Sequence, residues 1–208
     1  MGDGRSRSYV PFRDRDRPNR GMWKAGSHIQ SASRRTLTNT HRAAKPSEMN
    51  VSAITEQLYI AARPRAAHMA HVRELRIDLV ISMIWFRPTR ELTRPPFKLL
   101  RLPTIDSPAT PLPLWILRRG VEAAIPVLDA GGRVLVYCRA GRHRSVAMAC
   151  CILIAEGRTA DEAMDLVTEQ RPVADPHIFY IERRIRAFER DWLARQRPQT
   201  APPAVGEP

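Results

Sequence analysis

The sequence is short of the features that would classify it at once. It holds three cysteines in 208 residues, and two of them, Cys150 and Cys151, are adjacent. An odd count with a neighbouring pair builds no disulfide framework. That excludes the small stapled folds of secreted proteins and points to a reducing compartment, cytoplasmic or nuclear. No His/Cys cluster has the spacing of a metal site, so the expectation is a protein with no metal and no cofactor. No apolar run reaches the roughly 20 residues that span a bilayer, so no transmembrane segment is expected. The first thirty residues lack the apolar centre of a secretory signal. Acidic residues are scarce, 21 against 34 Lys and Arg, which leaves a formal net charge of +13. The imbalance favours an anionic partner: a phosphorylated substrate, a nucleic acid or an acidic membrane surface. A basic tail that only solvates the chain would give the same balance.

Much of that charge sits at one end. Residues 1–50 are poor in large aliphatics and rich in Arg, Ser, Asn, Asp and Pro, with "RDRDRPNR" as a charge run that has no periodic face. They read as a basic, disordered N-terminal extension. "MGDGRS" matches the outline of a myristoylation signal, but the charged Asp3 beside Gly2 argues against it. Asp3, Asp14, Asp16 and the early prolines argue likewise against a transit peptide. Residues 196–208 read as a flexible C-terminal tail.

Residues 51–195 have the periodicity of a folded domain. "EQLYIAA" (56–62), "IDLVISMIWF" (77–86), "FKLLRLPTI" (97–105) and "RVLVYC" (133–138) read as strands. "RAAHMAHVRELR" (65–76), "LWILRRGVEAAIPVLDAGG" (114–132) and "SVAMACCILIAEG" (145–157) read as helices. "TADEAMDLVTEQR" (159–171) opens on Thr159 with Glu162 three residues on, a capping box. In the helix expected over 176–195, Ile181, Ile185, Phe188 and Trp192 form a packing stripe. Strands alternating with helices imply an α/β sandwich with helices on both faces of the sheet.

The most informative stretch is "VLVYCRAGRHRS", from Val134 to Ser145. A buried strand ends at Cys138 and an apolar helix starts near Ser145. The loop between them turns sharply, and Gly141 permits the tight backbone. Successive N–H groups in such a loop form an anion nest over a helix N-terminus. The same field holds a cysteine below its free pKa of about 8.5, as a thiolate. Arg144 can return to the bowl and grip two phosphate oxygens with its planar fork, and Ser145 can give its hydroxyl to the sulfur. A nucleophile, an anion cradle and a bidentate clamp in one loop suggest attack on a phosphoryl group.

"CRAGRHRS" fits Cys-x5-Arg-Ser and resembles the signature loop of the cysteine-based protein tyrosine phosphatases. "ITEQLYIAARPRAA", "LRIDLVISM" and "ADEAMDLVTEQRPVADP" are similar to the corresponding segments of the atypical dual-specificity phosphatases, over residues 51 to about 192. The resemblance implies the phosphatase three-layer sandwich, a central mixed sheet with helices on both faces. It implies catalysis by Cys138, Arg144, Asp106 and Ser145, with phosphate bound by the loop residues Arg139, Ala140, Gly141, Arg142, His143 and Arg144. Asp106, in "LPTIDSPATPL", lies 138 − 106 = 32 positions before the cysteine, where the family carries its acid. By itself it would read as a turn former before Ser107–Pro108. Asp78 and Asp129 are rivals that look structural.

The chain departs from the family pattern at Tyr137, where a histidine is usual, and at His177, where asparagine is frequent. The first implies weaker support of the thiolate and slower turnover; the second reads equally as a helix-start residue. Arg139 and Arg142 resemble the basic loop positions of phosphoinositide phosphatases, and they either face the pocket rim or solvent. Trp85 and Phe86 either line a wall for an aromatic phosphoester or close the core at a strand end. The expected activity is hydrolysis of phosphotyrosine, and of phosphoserine or phosphothreonine, through a cysteinyl-phosphate. The alternatives are a phosphatase for phosphoinositides or RNA 5′ phosphates and a low-activity phosphate-binding scaffold. The expected partner is a phosphorylated protein, with anionic lipid or RNA contacted through the basic N-terminal segment.

Overall fold

The computed structural model describes residues 49–196. The N-terminal extension up to residue 48, with its two targeting motifs, and the tail from residue 197 lie outside the described residues.

Five strands form one sheet: β1 (Val51–Ala53), β2 (Leu58–Ala61), β3 (Leu79–Ser82), β4 (Lys98–Arg101) and β5 (Val134–Tyr137). Their spatial order is β1-β2-β5-β3-β4, and only the β1–β2 pair is antiparallel. The central strands β2, β5 and β3 are buried at every residue. Strands covered on both faces need continuous apolar sequence, which is what "LYIA", "LVIS" and "VLVY" supply. The helices are α1 (Met69–Glu74), α2 (Leu114–Asp129), α3 (Arg144–Ala155), α4 (Ala160–Gln170) and α5 (Phe179–Gln196).

The topology itself produces the three layers. The connection β2–α1–β3 moves across the sheet in one direction, and β4–α2–β5 moves back in the other. Parallel crossovers are right-handed, so α1 falls on one face and α2 on the opposite one. Helix α3 packs against β2, β5, α2, α4 and α5, which makes it the centre of its layer. It is accordingly buried on every side from Arg144 to Ile154. The α4 capping box forms as expected: the Glu162 N–H donates to Thr159 Oγ1 at 3.2 Å, and the Thr159 N–H donates to Glu162 Oε2 at 2.8 Å. On α5, Ile181, Ile185 and Phe188 are buried, and Trp192 stacks on Phe188 at 5.5 Å between ring centres.

Two sequence expectations change. The strand expected over 77–86 leaves the sheet after Ser82. Met83 and Ile84 stay buried, but the Met83 carbonyl accepts from Thr104 Oγ1 and from Arg144 Nη1 instead of a neighbouring strand. Trp85 and Phe86 therefore do not close the core; they are 63% and 62% exposed. Strand β1 had no sequence signal, being two half-buried residues and one exposed residue on the edge.

Candidate active site

The loop from Cys138 to Arg144 joins the C-terminal end of β5 to the N-terminus of α3. Its carbonyls are taken from outside. Arg139 O accepts the Arg63 N–H at 3.2 Å, Arg142 O accepts the Asp175 N–H at 3.0 Å, and His143 O accepts the Ala147 N–H at 2.8 Å. Gly141 O accepts Arg171 Nε at 2.7 Å. With the carbonyls turned outward, the alternating N–H groups are turned inward. Among the described residues no backbone carbonyl accepts from the N–H groups of Arg139, Ala140, His143 or Arg144. They are free to meet an anion.

Gly141 makes this path possible. Its φ is +68°, and a Cβ there would lie 2.7 Å from the Ala61 carbonyl oxygen and 2.5 Å from Arg171 Nη2. Only glycine satisfies both the angle and the space. Arg171, 1% exposed, is the brace behind the loop. Besides Gly141 O it donates to Asn50 Oδ1 at 2.6 Å, Ser52 Oγ at 3.1 Å and Ile60 O at 3.4 Å, which ties the loop to β1 and β2.

Cys138 sits at the bottom of the cup, 1% exposed. Its Sγ accepts from the Gly141 N–H and from the Ser145 hydroxyl, both at 3.2 Å. Burial pushes its thiol pKa up. The Ser145 hydroxyl, the N–H groups of Ser145 and Arg142 and the Arg144 charge outweigh burial and hold it below the ordinary thiol value. Tyr137 is not among these groups. It points away beside Ser82, and burial raises its phenol above the usual value, against a smaller lowering by the Ser82 hydroxyl.

Arg144 is buried and aimed by two carbonyls: Nη1 donates to Met83 O at 3.1 Å and to Thr104 O at 2.6 Å. Its Nε is buried with no hydrogen bond and lies 3.4 Å from Asp106 Oδ2. Asp106 comes from the loop after β4 and meets the signature loop across 37 residues, through His143 Nδ1 at 3.3 Å. Its other oxygen accepts the Tyr180 hydroxyl at 2.9 Å. The rival carboxylates are structural. Asp78 Oδ2 accepts the Arg133 N–H at 2.8 Å, and Asp129 ends α2.

Above the cup is a cleft of about 440 Å³, lined by Trp85, Phe86 and Ile105 on the apolar side and Arg139, Arg142 and His143 on the polar side. Arg139 and Arg142 are exposed at its rim, and Arg142 is 3.5 Å from Asp175. His143 is turned inward to Asp106, unlike the two arginines. His177 is exposed and lines no part of the cleft. The structure thus gathers Cys138, Arg144, Ser145, Asp106 and the loop into one site and leaves His177 out. It adds Arg171, Thr104 and Tyr180, none of which carries a local sequence signal.

Comparison with known proteins agrees with this arrangement. The family described as dual specificity phosphatase, catalytic domain, matches residues 58–191. Human dual specificity phosphatase 28 is 35% identical over 108 residues, which is 51% of this chain and 60% of that protein. The crystal structure of human DUSP28 superposes with a TM-score of 0.62 at 26% identity, covering 69% of this chain and 99% of the other. The crystal structure of PTPMT1 in complex with PI(5)P superposes with a TM-score of 0.62 at 25% identity, covering 70% and 97%. Strand order, signature loop and family match converge, and the chain belongs to the dual specificity phosphatase catalytic domain family, as an atypical member similar to dual specificity phosphatase 28.

Proposed function

We propose that the chain is a cysteine-dependent protein phosphatase that hydrolyses phosphotyrosine, and phosphoserine and phosphothreonine as further substrates. The observation that carries the reading is the lowered thiol of Cys138, held at the foot of inward N–H groups with Arg144 beside it. The thiolate attacks phosphorus in line. Arg144 Nε and the loop N–H groups take the equatorial oxygens, replacing the Asp106 contact. Asp106 gives its proton to the leaving oxygen as the P–O bond breaks, leaving a cysteinyl-phosphate. Water then attacks phosphorus and gives a proton to Asp106, while the Ser145 hydroxyl supports the departing thiolate. Phosphate leaves with the oxygen of water, and the enzyme returns to its first state.

The aromatic wall of Trp85 and Phe86 supports an aryl phosphate such as phosphotyrosine. A second reading, a phosphoinositide or RNA 5′ phosphatase, is supported by the exposed Arg139 and Arg142 and by the likeness to PTPMT1. Residues 51–195 are then the catalytic domain, and residues 1–50 a basic arm for anionic lipid or RNA. A cytoplasmic or nuclear setting suits three unbridged thiols. No helix among the described residues is long and apolar enough to cross a membrane. The test is phosphate release from phosphotyrosine, phosphothreonine, phosphoinositide and RNA 5′ phosphate substrates, with Asp106→Ala beside the native chain. The phosphotyrosine peptide is expected to have the highest kcat/KM. Preference for the lipid or the RNA would replace the first reading by the second.

A further inference from the structure

The mechanism leaves one group of contacts without a role. Asp106, His143 and Tyr180 come from three separate elements: the loop after β4, the signature loop and the first turn of α5. Tyr180 Oη lies 2.9 Å from Asp106 Oδ1 and 3.0 Å from His143 Nδ1, and that nitrogen is 3.3 Å from the carboxylate. The two rings meet edge to face, 5.8 Å between centres at 73°.

We propose that Tyr180 and His143 are positioning residues for Asp106, selecting which of its two oxygens carries the transferred proton. The inference rests on the assignment of Asp106 as the leaving-group acid.

A phenol has one proton. If Tyr180 gives it to Oδ1, the 3.0 Å contact with His143 is favourable only when Nδ1 carries a proton and donates to the phenol oxygen. The chain of donors then runs from His143 through Tyr180 to Oδ1. His143 Nδ1 lies 3.3 Å from both oxygens and does not tell them apart, whereas Tyr180 donates to Oδ1 alone. Once Arg144 Nε has turned from Oδ2 to the phosphoryl group, Oδ1 is the oxygen that still accepts the shorter hydrogen bond, so the proton goes to Oδ2. Oδ2 is the oxygen beside Arg144 Nε, where the phosphoryl group is to be gripped. After transfer Asp106 is ionised, and the same donors hold it for the second step, in which Oδ2 takes a proton from water. One arrangement therefore serves both protonation states without a rotation of the carboxyl. The Tyr180 phenol keeps its proton throughout, because burial and the neighbouring carboxylate push its pKa up to about 12.

Leaving-group chemistry separates this role from a merely structural one. A weakly acidic phenol such as that of tyrosine, with a pKa of about 10, departs only with a proton; a more acidic nitro- or fluoro-substituted phenol departs without one. In the full chain, Tyr180→Phe is expected to lower kcat/KM about tenfold for a phosphotyrosine peptide, a part of the ~10²–10⁴ that general acid catalysis supplies. It is expected to change kcat/KM less than about twofold for the aryl phosphate with an acidic phenol. On the phosphotyrosine peptide His143→Ala should lose a comparable factor, and His143→Asn, which keeps an N–H near the Nδ1 position, should recover most of it. Asp106→Asn is the reference, and adding Tyr180→Phe to it should cost nothing more. Equal losses on both substrates, or no loss on either, overturn the inference. If Asp106→Asn is itself insensitive to the leaving group, the acid assignment falls and the inference with it. If Asp106→Asn is sensitive and Tyr180→Phe is not, the acid stands and only the positioning role fails.

Discussion

Helix α3 and the loop before it carry all three cysteines, and they divide sharply. Cys138 precedes the helix; Cys150 and Cys151 lie in its interior, and all three thiols are free and buried. Burial pushes the Cys150 and Cys151 thiols far up, with few donors to offset it. Burial acts on Cys138 in the same direction and loses to the Ser145 hydroxyl, two backbone N–H groups and the Arg144 charge. Concealment therefore does not decide the chemistry of these thiols. The orientation of donors at a helix N-terminus does, and positions about two turns deeper in the same helix lack them.

Breaking the comparison at its centre has the largest expected effect. Cys138→Ser should lower phosphate release by about a thousandfold or more while the variant still binds a phosphotyrosine peptide. Cys150→Ala should leave kcat within about twofold, since the sulfur there acts as a small apolar filler. The pair of variants is compared by phosphate release and peptide titration.

Gly141→Ala comes next. The added Cβ strains a residue at φ +68° and presses on Ala61 and Arg171, so the N–H groups around Cys138 turn out of line. A loss of about a hundredfold in kcat/KM is expected, as for other small misplacements at a reaction centre. Thermal unfolding measured alongside separates lost alignment from lost fold.

Ser145→Ala removes one of the donors that distinguish Cys138 from the other two thiols. The Cys138 thiol should move back toward the ordinary value, so its alkylation by iodoacetamide should shift to higher pH. The hydrolysis of the cysteinyl-phosphate should slow about tenfold, read as a larger burst of leaving group before steady state. Cys150 and Cys151 should stay unlabelled until the protein is unfolded.

The smallest effect is on stability. The lowered Cys138 thiol contributes stability that is present above the unfolded thiol pKa, about 8.5, and lost as pH falls through its folded value. The raised Cys150 and Cys151 thiols contribute stability that is full below about 8.5. It declines as pH rises further, because only the unfolded chain then releases those protons. Cys150→Ala should flatten the alkaline decline by up to about 1.4 kcal/mol per pH unit, measured by denaturant titration between about pH 8.5 and 10.

These cysteines also mark how far the sequence could be read. The loop that makes Cys138 different spans seven residues, so strand, glycine turn, arginine and helix start are written consecutively, and their geometry follows from the local chain. The buried strands were legible because a strand covered on both faces must be apolar at every position. Trp85 and Phe86 misled that reading: they continue the apolar run, but the carbonyl of Met83 serves Arg144 and Thr104, and the chain turns away from the sheet. Strand β1 was invisible because three edge residues, none of them fully buried, make no pattern.

The sequence by itself singled out Cys138, Arg144 and Ser145, the residues proposed as nucleophile, clamp and supporting hydroxyl, and the α/β order, because each rests on neighbours in the chain or on periodic burial. It named Asp106 only through the family's spacing. Tertiary structure decided the rest. It turned His143 inward while leaving Arg139 and Arg142 at the rim. It set Arg171 behind a carbonyl 30 residues away and Tyr180 against a carboxylate 74 residues away. Such partners are chosen by how the sheet twists and how α5 seats on its stripe, and no local pattern in the chain records where those surfaces meet.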